Sequence, residues 1–112
     1  MYDRSRIPFH SAVQPRFNAG CVWATPTLRA ACADARLREC LGRHVRGDWG
    51  IVSEDDARAN ECALRAHQTV RSIFAVDPVR PATDTANRVR IVTNRQAGVT
   101  MLLLGDEPEV WP

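Results

Sequence analysis

The 112-residue chain contains no lysine: all 15 of its basic residues are arginine, set against 13 acidic residues. A net charge of +2 is too small to indicate nucleic-acid binding by itself, and its positive sign argues against an acidic DNA mimic. The surface therefore offers planar guanidinium groups, which bind phosphate or carboxylate through two parallel hydrogen bonds, in place of ammonium groups.

Long apolar runs are also absent. No segment approaches the roughly 20 apolar residues of a membrane-spanning helix, and residues 1–14 lack the apolar stretch of a signal peptide. We therefore expect a cytoplasmic protein with no membrane partner. Its 45% apolar and 25% charged residues are typical of one globular domain. We predict that domain at 19–112, after an extended or partly ordered N-terminal arm at 1–18.

The four cysteines form no C-x-x-C pair. Cys21, Cys32, Cys40 and Cys62 are interpreted as buried free thiols in a reducing compartment. Cys40 and His44 lie one helical turn apart and, with Cys32, allow a zinc site as an alternative. Because no fourth ligand accompanies them, we predict neither a metal nor another cofactor.

The first predicted helix begins at Thr25 and Pro26, which are a typical N-cap and first helical residue. A stripe of apolar residues at helical spacing extends this predicted helix to about Arg43. The stripe consists of Leu28, Cys32, Ala35 or Leu37, Cys40 and Leu41.

The second predicted helix begins after Ser53 and extends to about His67. Ser53 is the cap, Asp56 stands at the capping-box position, and the acidic run 54–56 suits the positive end of the helix dipole. We interpret these carboxylates as capping groups and not as catalytic groups. The buried face of this helix is predicted to consist of Ala57, Asn60, Ala63, Leu64 and His67.

From residue 69 the pattern changes to the alternation that is typical of strands, over 69–76, 88–93 and 99–104. The apolar run at 99–104 predicts a central strand covered on both faces. The segment 20–25 is either a short strand or a lead-in to the first helix. The predicted fold class is α+β, with two helices followed by a three-stranded antiparallel sheet and packed on one face of it.

The loop His44–Gly50, with the sequence HVRGDWG, is the strongest candidate site. A surface loop can use its imidazole, carboxylate and indole more readily than a packed core can. His44 is either a structural residue that interacts with the dipole at the helix end or a functional histidine. Asp48 either orients His44 or closes its own turn. Trp49 either anchors the loop or stacks on a nucleobase.

Six segments of the chain together resemble a family of small proteins carried by plasmids and other mobile genetic elements in proteobacteria. That family combines an Ala-Thr-Pro lead, a helix, an H-x-x-G-D-W-G loop, an acidic helix with an asparagine, an R-[IL]-x-S strand and a closing strand pair. The matching residues are Ala24–Pro26, His44–Gly50, Glu54–Asn60, Ile91–Thr93 and Thr100–Leu103, and Arg71–Ile73 matches the strand motif in part. The chain departs from the family at Asn94, where an acidic residue is usual, and in an insertion around 78–84.

The resemblance covers about residues 22–104 and implies an accessory protein of a mobile element. We accordingly predict a noncatalytic protein that binds a host protein or a defence complex, of the anti-restriction or anti-CRISPR type. The predicted binding residues are Trp49, Arg46, Arg88, Arg90 and Arg95.

The alternative is a metal-independent RNase whose architecture resembles that of the barnase and colicin nucleases, with RNA as the partner. Such an enzyme needs a general base or acid, an arginine for the phosphate and a hydroxyl on one exposed face. The predicted catalytic residues are His44, Asp48, Arg71, Thr93 and Thr100. A simple cross-strand contact between Thr93 and Thr100 is the other interpretation of that pair.

Overall fold

The computed structural model describes residues 5–7, 9, 14–81, 83–109 and 111. The protein belongs to the α+β class, as predicted. Within the described residues the elements are β1 (Ser5–Arg6), β2 (Cys21–Ala24), α1 (Pro26–Ala31), α2 (Asp34–Val45), α3 (Glu54–Arg65), β3 (Val70–Ala75), a 3-10 turn (Thr85–Asn87), β4 (Arg88–Asn94) and β5 (Val99–Leu104).

The strands form one mixed sheet in the order β1-β2-β5-β4-β3. The predicted meander of β3, β4 and β5 is confirmed, with antiparallel pairs that include Val70 with Thr93 and Thr93 with Thr100. A sheet of three antiparallel strands was nevertheless an incomplete prediction. β2 pairs in parallel with β5, and β1 pairs antiparallel with β2. β5 is the central strand, as its apolar run predicts.

The predicted single helix from Pro26 to about Arg43 is wrong, because the chain is extended at Cys32 and Ala33. The N-cap is confirmed: Thr25 Oγ1 accepts a hydrogen bond from the backbone N–H of Leu28 at 3.2 Å. The break lets the two pieces follow different strands, since α1 packs near β5 and α2 near β4. The predicted stripe is buried at Leu28, Cys32, Leu37, Cys40 and Leu41, whereas Ala35 is exposed.

Ser53 caps α3 as predicted, with its Oγ 3.0 Å from the backbone nitrogen of Asp56. The helix ends at Arg65, and His67 follows in the left-handed region at φ +56°. The side chain of His67 is exposed, so its predicted place on the buried face is wrong. Left-handed backbone ends the helical periodicity on which that prediction depended.

Asn60, on the buried face of α3, seals the outer edge of β3. Its Nδ2 donates to the carbonyl of Arg71 at 2.6 Å, and the Arg71 N–H donates to its Oδ1 at 3.0 Å. The loop before α3 covers the next part of the same edge. The Ile51 N–H donates to the Ile73 carbonyl at 2.7 Å, and the Ile73 N–H donates to the Trp49 carbonyl at 3.1 Å. The edge strand therefore exposes few backbone groups for pairing with another chain.

Alternation along the strands gives the sheet two different faces. The helix face carries the main core, where Val70, Phe74, Val89, Ile91 and Leu102 pack with the buried residues of the helices. The opposite face, which we call the open face, carries a second cluster of buried apolar residues, in which no member comes from a described helix. That cluster consists of Val92, Met101 and Leu103, with Trp23 and Trp111 packed against them.

Residues 105–109 and 111, which we call the return segment, turn back over the open face after β5. Glu107 accepts hydrogen bonds from Thr25 Oγ1 at 2.7 Å and from the Leu104 N–H at 2.7 Å. Its carbonyl accepts from Arg90 Nη2. Farther along, Glu109 pairs with Arg71. The open face is thus partly covered by an irregular segment.

Part of the predicted arm at 1–18 is described. Residues 5–6 form β1, and Ile7 and Phe17 are buried in the main core. Residues 1–4, 8 and 10–13 lie outside the described residues, so the boundary at residue 18 stays a prediction. No helix in the described parts of the chain is long and apolar enough to cross a membrane.

Candidate functional site

His44 lies in the last turn of α2, on the same stripe as Leu37, Cys40 and Leu41, and its side chain is completely buried. Its two ring nitrogens both face hydroxyl groups of the sheet. Nδ1 lies 2.5 Å from Ser72 Oγ on β3, and Nε2 lies 2.9 Å from Thr93 Oγ1 on β4.

The hydrogen bonds continue from β4 into β5 and have a single consistent direction. Thr100 Oγ1 donates to the carbonyl of Ala19 at 2.6 Å, so it must accept from Thr93 Oγ1, which is 2.7 Å away. Thr93 has then used its only proton and must accept from His44 Nε2. A neutral His44 in this tautomer accepts at Nδ1 from the hydroxyl of Ser72.

This imidazole–hydroxyl network (His44, Ser72, Thr93 and Thr100) is sealed from solvent, since each of its residues has 0% exposure. Burial lowers the pKa of His44 to about 3. The imidazole is therefore neutral near pH 7, which agrees with the tautomer that the hydroxyl directions require. Because every hydroxyl proton and both ring nitrogens are used, the network has nothing free to offer a substrate.

Two aromatic rings enclose the imidazole. Phe17 meets it edge-on with ring centroids 5.2 Å apart, and Trp49 does so at 5.9 Å. Trp49 is 6% exposed and donates through Nε1 to Glu61 at 3.0 Å, which confirms its predicted role as an anchor and leaves no ring face for a nucleobase. Arg16 holds Glu61 with two hydrogen bonds of 2.9 and 2.8 Å, and these lower the pKa of Glu61.

Asp48 closes its own turn and does not orient His44. Its carboxylate accepts from Arg43 Nε at 2.7 Å and from the Gly50 N–H at 3.1 Å. Burial raises the pKa of Asp48, but these two hydrogen bonds, together with the positive charges of Arg43 and Arg46, outweigh it and leave the pKa below its usual value. Gly50 has a φ of +72°, and a Cβ there would lie 2.0 Å from the Ile73 carbonyl oxygen. Asp48 and Gly50 thus allow the loop to pack closely against β3.

Arg71 lies on the open face, because it alternates with Ser72 along β3. The prediction that His44, Asp48, Arg71, Thr93 and Thr100 share one exposed face is therefore wrong. His44 and the two threonines do meet, but inside the core. Asp48 belongs to a surface turn, and Arg71 projects from the other side of the sheet.

The predicted binding residues are also spread over the molecule. Arg95 donates to the Leu64 carbonyl at 2.6 Å and lies over Phe17, so it helps to close the end of α3. Arg46 is exposed at the end of α2. Arg88 and Arg90 alternate with buried residues of β4 and belong to the open face. The predicted binding residues therefore do not form one common binding surface.

Sequence reasoning missed Ser72, although a signal was present. Ser72 lies on the same face of β3 as Val70 and Phe74. In the same way Thr93 shares the face of Val89 and Ile91, and Thr100 that of Leu102. Hydroxyls at core-facing positions of neighbouring strands require a buried polar partner. His44, on the apolar stripe of α2, meets that requirement.

The zinc alternative for Cys32, Cys40 and His44 is not supported. The described residues contain no metal-binding group of three or more histidine, cysteine or acidic side chains, and His44 uses both nitrogens for hydroxyls. Burial raises the pKa of Cys40 to about 11. The cysteines are free, but the prediction that all are buried is wrong, because Cys62 is exposed on α3 and Cys21 is only partly buried.

Comparison of the chain with protein-family models, with curated proteins and with solved structures finds no match. The resemblance to plasmid-borne proteins therefore stays a prediction. The fold and the site define an α+β protein with a sealed polar network on the helix face of its sheet and arginines and tryptophans on the open face.

Proposed function

We propose that this chain is a noncatalytic binding protein that contacts another protein through the open face of its sheet. The observation that supports the proposal is the difference between the two faces. The candidate catalytic groups His44, Thr93 and Thr100 are completely buried. Trp23, Arg71 and Arg90 lie on the face whose apolar cluster contains no described helix residue.

The RNase alternative requires a general base or acid within reach of an RNA 2′-hydroxyl or leaving group. His44 is separated from solvent by Phe17, Trp49 and the sheet, and it is a very weak base with a pKa of about 3. An RNA could reach it only if α2 separated from β3 and β4. The geometry therefore favours binding over catalysis.

The composition of the open face suits contact with a protein. Tryptophan and arginine are enriched in the central parts of protein–protein interfaces, where they contribute much of the binding energy. Here Trp23 and Trp111 pack against Met101 and its neighbours, while Arg71 and Arg90 supply directional hydrogen-bond donors.

The proposed partner is a host protein or defence complex, as the resemblance to mobile-element proteins implies. An anti-restriction or anti-CRISPR role in the cytoplasm belongs to the same proposal.

Two assays on the full chain test this function. First, purified protein is incubated with total RNA without metal, and the RNA is expected to stay intact. Cleavage that disappears in the His44→Gln variant would favour the enzyme. Second, proteins crosslinked to the wild type in a host extract are compared with those crosslinked to Arg71→Glu and Arg58→Glu. Both arginines are exposed, but Arg58 lies on α3. We expect Arg71→Glu alone to lose a defined partner.

A further inference from the structure

A cavity of about 330 Å³ lies where the open face meets the edge of β3. Its lining includes Arg71 and Arg90, with Val92 and Ile73 between them and with Asp56 of α3 at the side. The cavity therefore combines apolar surface with two guanidinium groups and one carboxylate. Two positive charges and one negative charge leave a net charge of +1 around it.

Arg90 contains the one buried side-chain nitrogen or oxygen that lacks a hydrogen-bond partner within the described residues, its Nε. Arg90 Nη2 already donates to the Glu107 carbonyl, so the guanidinium is held in place while its Nε–H lacks an acceptor. Buried donors without partners are rare in folded proteins, so this one requires an explanation. The neighbouring cavity has room for an acceptor.

Arg71 already binds a carboxylate, that of Glu109 in the return segment. The two contacts are long, at 3.4 Å from Nε and 3.3 Å from Nη2, and the Arg71 side chain is 58% exposed. The Glu109 side chain is only partly buried, and ion pairs with such long contacts at a surface contribute little free energy. A carboxylate from another molecule can therefore replace Glu109 on Arg71 at low cost.

We propose that this cavity binds an acidic side chain of the partner protein, presented on an extended segment. The proposal rests on the proposed function and names the chemistry of its partner. The incoming carboxylate accepts from Arg71 and from Arg90 Nε, and Glu109 is displaced. A single carboxylate, with one negative charge, matches the net charge of the lining. The return segment shows that an irregular chain can place a carboxylate on Arg71 at this position.

The test uses the full chain and a fluorescent synthetic peptide with the sequence of residues 105–112. The wild type is expected to bind it weakly, because its own return segment competes at high effective concentration. Glu109→Gln should bind the peptide about tenfold more tightly. In that background Arg71→Gln should weaken binding by about tenfold, and the matched Arg58→Gln should not.

A second readout reports on Arg90 directly. The Arg90 Nε–H resonance, assigned from its loss in Arg90→Lys, should move when the acidic peptide saturates the protein. A peptide with glutamine in place of both glutamates should leave it unmoved and bind about tenfold more weakly. Absence of peptide binding to Glu109→Gln, equal binding of the two peptides, or equal effects of Arg71→Gln and Arg58→Gln would overturn the proposal.

A short single-stranded RNA is titrated in parallel, because phosphate is the other anion that arginine binds through two hydrogen bonds. Tighter binding of RNA than of peptide through Arg71 would also overturn the carboxylate pocket. These results are separable from a failure of the proposed function. If the pocket fails while RNA stays intact and Arg71→Glu still loses its crosslinked partner, the binding function stands and only the chemistry of the pocket is wrong.

Discussion

The helix face and the open face of the sheet both carry polar side chains, but in opposite states. On the helix face, His44 and three hydroxyls are buried, and each donates or accepts in one continuous chain that ends at the Ala19 carbonyl. On the open face, Arg90 Nε is buried without an acceptor. The complete set of hydrogen bonds around His44 indicates a structural role, whereas the unpaired Nε of Arg90 is the basis of the ligand pocket that we propose.

Trp49→Ala gives the largest expected effect, because Trp49 is buried against the helix-face core. We expect a loss of about 3–5 kcal/mol in the free energy of unfolding. Trp111→Ala on the open face is the comparison, and it should cost less than about 2 kcal/mol because that ring is only partly buried. Urea denaturation measures both, and equal losses would remove the distinction between the faces.

The pH dependence of stability tests the neutral state of His44. The folded pKa of His44 is about 3 and its ordinary value is 6.5, so the unfolded chain binds the proton first as pH falls. The contribution of His44 to stability should be constant above about pH 6.5, and below it stability should decrease by up to about 1.4 kcal/mol per pH unit toward pH 3. Glu61 and Asp48 have lowered pKa values in the folded protein. At a pH below their ordinary pKa values, protonation of these two carboxylates in the unfolded chain adds to the loss of stability.

Denaturation midpoints between about pH 7 and pH 5 measure this slope. His44→Gln should abolish it, and His67→Gln, which retains His44, is the matched control. A wild-type slope that survives in His44→Gln would mean that another group takes up the proton.

Thr93→Val should have an intermediate effect. It leaves the Nε2–H of His44 buried without an acceptor, which costs about 1–3 kcal/mol. Thr27→Val on the exposed side of α1 makes the same chemical change in solvent and should be nearly neutral. Should both variants unfold at the same denaturant concentration, the hydrogen-bond chain through Thr93 would contribute nothing to stability.

Arg71→Gln should have the smallest effect on stability, within about 0.5 kcal/mol, because Arg71 is exposed and its contacts with Glu109 are long. Its effect should instead appear in binding. A large loss of stability in this variant would mean that the open face is part of the structural core and would weaken the contrast with the helix face.

Local patterns predicted the elements that depend on local chemistry. Alternation located β3, β4 and β5, and the Ser53 cap located the start of α3. The break between α1 and α2, at Cys32 and Ala33, contains no glycine or proline that would have predicted it. It arises because α1 and α2 pack on different strands, which is tertiary information.

The candidate site was harder to predict, because burial depends on the partner as much as on the residue. His44 stands at the end of a helix beside a polar loop, which favours a surface interpretation. Its spacing from Leu37, Cys40 and Leu41 points into the core instead. The parallel pairing of β2 with β5 depends on residues far apart in sequence and left no local signal.

The central position of β5 has a consequence for how the chain acquires its structure. β5 is the last strand in sequence, yet it joins β2 on one side to β4 on the other. During synthesis, the β1–β2 pair and the β3–β4 pair are therefore complete before the strand that unites them has been made. Contacts of such long sequence separation form slowly, and unpaired strands are prone to aggregate meanwhile. We expect cooperative folding to begin only after residue 104 has left the ribosome.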